Sequence, residues 1–452
     1  MRMVIVAAVF AVVLLTAFSL GIATTVGERV VEKGVPTEVA IRDGTLLVNG
    51  NPFIVKGVTY SGVPIGEDPR DKHCPTCLSE DTYMHDLALM KAGGVNTVRI
   101  LDPANPENTR KFLDAAYAHG IMAIIGTSGP VKEDASLPGV REHSTEGMLD
   151  VVKTYKDHPA VLMWMYGNEV NFWYPKDANV DDWYTLLDET AAAVKKEDPL
   201  HPVITGNNDL LNLDGVRTVR NVDVYGSNQY SLNDGSWNWF FTTYDQSAIG
   251  LPLMLTEFGA DSWNSEKSAE DEASQARILS ASWNSTKGRP GFIGAIAFEW
   301  ADEWWKSENP EKRNCERDWQ PFDSASLPDK WFSEECFGLV RMQENTNERV
   351  PKLAYYELQK EWVVPDQGSA PTISLVEISG KEVNAIVATY GGAAADVTLR
   401  YKGLLEDWKE TPMRRDGFTY AAEISHVTPP LSYRIVAADE YGTRTKEGTV
   451  IV

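Results

Sequence analysis

Two glutamates stand where short apolar runs give way to polar residues. Val161-Leu-Met-Trp-Met-Tyr166 stops at Gly167-Asn168-Glu169, and Leu253-Met-Leu-Thr256 stops at Glu257-Phe258-Gly259. A continuous apolar run is what a strand buried on both faces needs. Each glutamate is therefore expected at the C-terminal end of a parallel strand. A lone Glu in such a place is more often a solvated loop residue. A pair converging on one mouth can break an acetal: one carboxyl protonates the leaving oxygen while the other attacks the anomeric carbon. A separation of about 5–5.5 Å gives retention through a covalent intermediate. Burial and mutual repulsion push the two pKa values apart, so a neutral acid and an ionised nucleophile can coexist.

The elements that must position this pair are regular. Apolar strand candidates recur at residues 53–58, 95–101, 121–126, 161–166, 202–205, 222–225, 252–256 and 295–298. Segments of helical period lie between most of them, with stops at Gly93-Gly94 and His119-Gly120. Eight alternations predict an α/β fold, a (β/α)8 TIM barrel, in which the C-terminal ends of the strands carry the chemistry. No Gly-rich phosphate fingerprint follows any strand, which removes the support for a nucleotide-binding sheet. A hairpin turning at Asp43-Gly44 precedes the first strand. A long loop, 302–349, separates the eighth strand from its helix at 351–362; loops of that length are usually functional or lids. Residues 365–371 have linker composition, and 372–452 switch to short alternating strands that predict an immunoglobulin-like β-sandwich. The barrel domain, with its hairpin, is expected over 38–364.

Composition narrows the partners. The net charge of −23 over 452 residues argues against nucleic acid. Arg2 and the apolar run up to Ile22 have the layout of a secretory signal over residues 1–25, with an uncleaved anchor as the alternative. Membrane contact is expected only in that second case, and the protein is expected to be secreted or at the cell surface. Cys74, Cys77, Cys315 and Cys336 suit an exported chain with disulfides. A zinc site and a redox dithiol are the competing readings, and the pairing is open. The sequon at Asn284 carries little weight. Fourteen Trp and seventeen Tyr are many for this length. Of these, Trp173, Trp237, Trp239, Trp304 and Trp305 fall in or near strand-to-helix loops, where flat rings could stack on pyranose faces; tucking against the barrel is the plainer alternative.

Gly167-Asn168-Glu169 and Thr256-Glu257-Phe258-Gly259 resemble the signature of clan A glycoside hydrolases. Leu47-Val-Asn-Gly-Asn-Pro-Phe-Ile-Val-Lys-Gly57 looks like the entry to the catalytic barrel of the family 2 enzymes. The resemblance covers roughly residues 46–362. Parts of it, 54–60 and 96–99, also look like the β-1,3-glucanosyltransferases of fungal walls. It implies that Glu169 is the acid/base and Glu257 the nucleophile, with no cofactor and no metal. It further implies that Asn168 bonds the hydroxyl beside the anomeric carbon and that Arg99 keeps the nucleophile charged. By the same token Tyr230 donates to Glu257, with Tyr225 or Asn228 as alternatives, and Trp300 floors the subsite of the cleaved sugar. Glu299, Asp302 and Glu303 are expected to be solvated or supporting, while Tyr60 and His143 are candidates to line the mouth. Family 2 enzymes carry a jelly roll and a sandwich ahead of the barrel, whereas here a hairpin precedes it and the accessory domain follows. The resemblance therefore speaks to the chemistry more than to the sugar. The expectation is a retaining β-glycosidase acting on a β-linked glucan or related polysaccharide, with a transglycosylase or a non-catalytic glycan-binding protein as rivals.

Overall fold

The computed structural model describes residues 36–450 except 62, 69–78, 104, 231–233, 307–308, 316–328, 330, 345–347, 364–370, 390–394, 417–418 and 440–441. The expected leader, nearly all of the linker, and Cys74 and Cys77 lie outside the described residues.

Eight parallel strands close into a barrel: β1 (Val55–Thr59), β2 (Thr97–Leu101), β3 (Met122–Thr127), β4 (Val161–Asn168), β5 (Val203–Asn208), β6 (Val224–Asn228), β7 (Leu253–Phe258) and β8 (Phe292–Ala297). The outer helices are α1 (Glu80–Ala92), α2 (Pro106–Ala118), α3 (Pro138–Tyr155), α4 (Asp181–Glu197), α5 (Leu213–Val216), α6 (Asp234–Ser247), α7 (Glu272–Thr286) and α8 (Leu353–Trp362). The helix after β5 is reduced to a single turn. Local chemistry sets the helix ends. Ser79 and Asn105 accept from the backbone N–H groups of Thr82 and Asn108, capping α1 and α2. Gly94 (φ +82°) turns the chain after α1, where a Cβ would stand 2.6 Å from the Trp362 backbone.

Side-chain alternation along the strands divides the core in two. Ile124, Met163, Met165, Ile204, Met254 and Ile296 form a smaller cluster that fills the barrel. Trp164, Tyr166, Trp183, Phe240 and Leu279 belong to the larger layer between strands and helices. The N-terminal hairpin (Val39–Arg42 with Thr45–Val48) turns through Asp43 and Gly44, both at positive φ. It lays Val39 and Leu46 onto the barrel-filling cluster. Its bond from Val39 N to Leu200 O, 3.2 Å, ties it to the segment that enters β5. The hairpin thus closes the end of the barrel opposite the strand C-termini.

The loop after β8 is held by covalent and ionic bonds. Cys315 and Cys336 form a disulfide with Cα atoms 5.7 Å apart, and buried Lys352 reaches Asp302 at 2.5 Å. No helix among the described residues is long and apolar enough to cross a membrane.

Residues from 364 onward make a separate compact unit. Its described strands form two four-stranded antiparallel sheets, a β-sandwich. The core contains Val383, Ala385, Val397, Leu399, Tyr420, Leu431 and Ile435. Alternate residues of 396–402 point inward, as a half-buried strand requires.

Candidate active site

The Gly167-Asn168-Glu169 turn is built by a glycine that no other residue could replace cheaply. Gly167 has φ +88°, and a Cβ there would stand 2.5 Å from the Trp183 ring. Glu169 itself takes the left-handed conformation, φ 52°, with its N–H on Gly206 O at 2.7 Å. The carboxyl group is thereby delivered half-buried into the mouth. Its Oε1 accepts from Asn208 and Asn228 amides, each at 3.0 Å, and its Oε2 from the indole N–H of Trp173 at 3.3 Å. Burial first, and the negative charge of Glu257 second, push the Glu169 carboxyl up to about 7. These donors pull the other way and do not win.

Glu257, on β7, is buried, and its carboxylate has a partner for each oxygen. Arg99 Nη2 lies 2.5 Å from Oε1, and the Tyr230 hydroxyl donates to Oε2 at 2.6 Å. Two donors converging on two oxygens suit an anion, not an acid that must place its own proton. Burial, then the Glu257 charge, hold the Tyr230 hydroxyl far above its usual pKa, so it remains a donor.

One amide ties the Glu169 carboxyl to Asn168. Asn228, paired in register with Glu257, donates to Glu169 and to Asn168 Oδ1 (3.2 Å). Its own carbonyl accepts from the Thr256 hydroxyl at 2.8 Å, which fixes the flip. Arg99 reaches Asn168 Oδ1 at 3.4 Å and Thr256 O at 3.1 Å. Glu169, Glu257, Arg99, Asn168 and Tyr230 are thus brought together. Neither Tyr225 nor Asn228 takes the Tyr230 position: Tyr225 donates to Asp209 O at 3.0 Å, and Asn228 serves the other glutamate.

Trp300 is not at the mouth. It is 1% exposed, its indole N–H donates to Asp86 at 2.9 Å, and its ring packs edge-on against Tyr355 of α8. The aromatic that meets the site from β8 is Phe298, partly exposed and edge-on to Tyr230 at 6.5 Å between centroids. Lys306 Nζ sits 4.3 Å from the Phe298 centroid. Glu299 and Glu303, both buried, hold that ammonium at 3.2 and 2.9 Å. Asp302 is buried on Lys352, so all three acids support the loop and none is solvated.

Tyr60 is also withdrawn, its hydroxyl on Asp86 at 3.0 Å, while His143 is exposed on α3. Among the five loop tryptophans, Trp237 and Trp304 are buried, with Trp237 stacked on Phe241. Trp173 and Trp239 are exposed at 41% and 56%, and Trp173 donates to the Glu169 carboxyl. Asn208, Asn228 as a ligand of Glu169, and Phe298 are the residues that the sequence reading did not assign. Among the described residues no group of His, Cys, Asp and Glu could hold a metal ion.

A closed barrel with two glutamates at the ends of β4 and β7 defines a class. The chain matches the family described as Glycosyl hydrolases family 2, TIM barrel domain, over residues 39–277, more than half its length and including both glutamates, and it belongs to that family. Among particular relatives, it is 27% identical over 172 residues to a β-galactosidase of Pectobacterium atrosepticum, covering 37% of this chain and 14% of that protein. The fold resembles a β-glucuronidase of Bacteroides uniformis (TM-score 0.55, 16% identity, 92% of this chain and 48% of that one). It also resembles a family 2 β-galacturonidase of Eisenbergiella tayi (TM-score 0.51, 19% identity, 72% and 54%). The chain spans about half the length of these solved relatives and a far smaller share of the β-galactosidase.

Proposed function

We propose that this protein is a retaining β-glycosidase that cleaves a β-linked glucan or a related polysaccharide. The observation that carries the reading is the opposed environment of the two glutamates. Glu169 is held as an acid by burial and by its like-charged neighbour, and Glu257 is clamped between a guanidinium and a phenol. In this mechanism Glu257 attacks the anomeric carbon while Glu169 protonates the departing oxygen. Water then replaces the enzyme carboxylate, with Glu169 taking its proton. Asn168, held by Arg99 and Asn228, presents its amide to the hydroxyl beside the reacting carbon, and Phe298 faces the sugar from β8.

An exported location belongs to the same reading, supported by the apolar leader and by the disulfide. Transfer to a sugar acceptor instead of water is the second reading, favoured by the exposed indole beside Glu169; chains longer than the starting oligosaccharide would reveal it.

The decisive experiment incubates the protein with 2-deoxy-2-fluoro glycosides of several configurations, followed by intact mass and peptide mapping. An adduct on Glu257 that Glu257→Gln lacks is expected. An adduct on another residue, or inertness towards the whole panel together with a broad polysaccharide screen, would overturn the assignment.

A further inference from the structure

The two oxygens of Glu169 are not equivalent. Oε1 accepts two amide N–H groups, from Asn208 and Asn228, each at 3.0 Å. A carbonyl oxygen has two lone pairs, so both are engaged and the proton of the neutral acid resides on Oε2. That oxygen faces the Trp173 indole N–H at 3.3 Å. The Trp173 ring is 41% exposed, and its orientation is fixed from two sides. Phe172 meets it edge-on at 4.9 Å, and Lys132 Nζ stands 5.0 Å from its centroid. A leaving oxygen must approach Oε2 to be protonated, so the group attached to that oxygen is drawn to the indole.

We propose that Trp173 is the platform of the leaving-group subsite and that the leaving group it takes is a sugar ring. A pyranose offers a flat C–H face to the indole, and its bridging oxygen then lies at Oε2. As Oε2 gives up its proton it becomes an anion beside the Trp173 N–H, whose hydrogen bond is strengthened by that charge. One side chain therefore binds the departing sugar and stabilises the carboxylate left behind. The inference rests on the glycosidase reading above and adds the residue that receives the leaving sugar.

The test compares the full-length wild type, Trp173→Ala and Trp173→Phe on a β-linked disaccharide and on the glycosyl fluoride of the same sugar. Fluoride leaves without a sugar to bind, so the ratio of the two kcat/KM values isolates the subsite. For Trp173→Ala the disaccharide-to-fluoride ratio is expected to fall about tenfold, the loss of one aromatic contact. Trp173→Phe keeps a ring and is expected to retain most of the ratio. Its alkaline limb is expected to move upward, because a donor that lowers the Glu169 pKa is gone. An unchanged ratio in Trp173→Ala, or equal losses on both substrates, overturns the proposal while leaving the glycosidase reading intact. A wild type inert towards every fluoride and disaccharide overturns both.

Discussion

At the residue scale the site is a proton-partitioning device joined by one amide. Asn228 touches Glu169 and Asn168 and is oriented by the Thr256 hydroxyl, so the Glu169 carboxyl, the Asn168 amide and a β7 side chain share one hydrogen-bond network. With the Glu169 carboxyl at about 7, kcat/KM is expected to fall as pH rises above that value, as its proton is lost. Glu169→Ala should abolish that limb and cost about 10²- to 10⁴-fold on sugar leaving groups; a pH-rate profile on an oligosaccharide checks both. Stability carries the same sign. A carboxyl raised from its ordinary 4.5 binds its proton more tightly when folded, so its contribution is present at low pH and fades as pH climbs towards 7. Glu169→Gln should therefore melt higher than the wild type at pH 8 and little differently at pH 4. Both glutamates were legible because a charged residue ending an apolar run is conspicuous. Phe298 was not: the chain leaves β8 at Ala297, and beyond a strand end sequence spacing no longer tells which of two nearby aromatics turns inward.

At the scale of elements, Asp86 is the hub behind the site. This α1 side chain is wholly buried and accepts from Tyr60 beyond β1, from Trp300 beyond β8, and from Arg349 at 2.9 Å in the segment before α8. Asp86→Ala would remove the buried carboxylate that Tyr60, Trp300 and Arg349 share. The expected loss is about 3–5 kcal/mol, measurable by urea unfolding of the full chain. All eight strands could be read from their apolar runs, yet β5 and β6 extend three residues beyond the readings, through Gly206-Asn207-Asn208 and Gly226-Ser227-Asn228. Of these, Asn208 and Asn228 turn their amides to the Glu169 carboxyl, while the backbone goes on pairing beneath them. The signal that exposed Glu169 and Glu257, polar residues closing a buried strand, was present in Asn208 and Asn228 too. An amide is less conspicuous than a carboxylate, so the pattern points to Asn228 only as an alternative to Tyr230 and does not single out Asn208.

At the scale of the whole molecule, a net charge of −23 means that the compact state repels itself. Raising NaCl from about 10 mM to about 200 mM should therefore raise the Tm by a few degrees, since screening shortens the reach of surface charge; differential scanning calorimetry reads this directly. Glu169 adds a second opposition to stability, because the site holds a non-glycine residue in the left-handed backbone region. Such a conformation costs of order 1–3 kcal/mol, and glycine would relieve it. Selection for folding alone therefore pulls position 169 away from glutamate, and selection for turnover pulls it back. A lineage released from the need to cleave its substrate would be expected to lose this residue early, becoming sturdier as it fell silent.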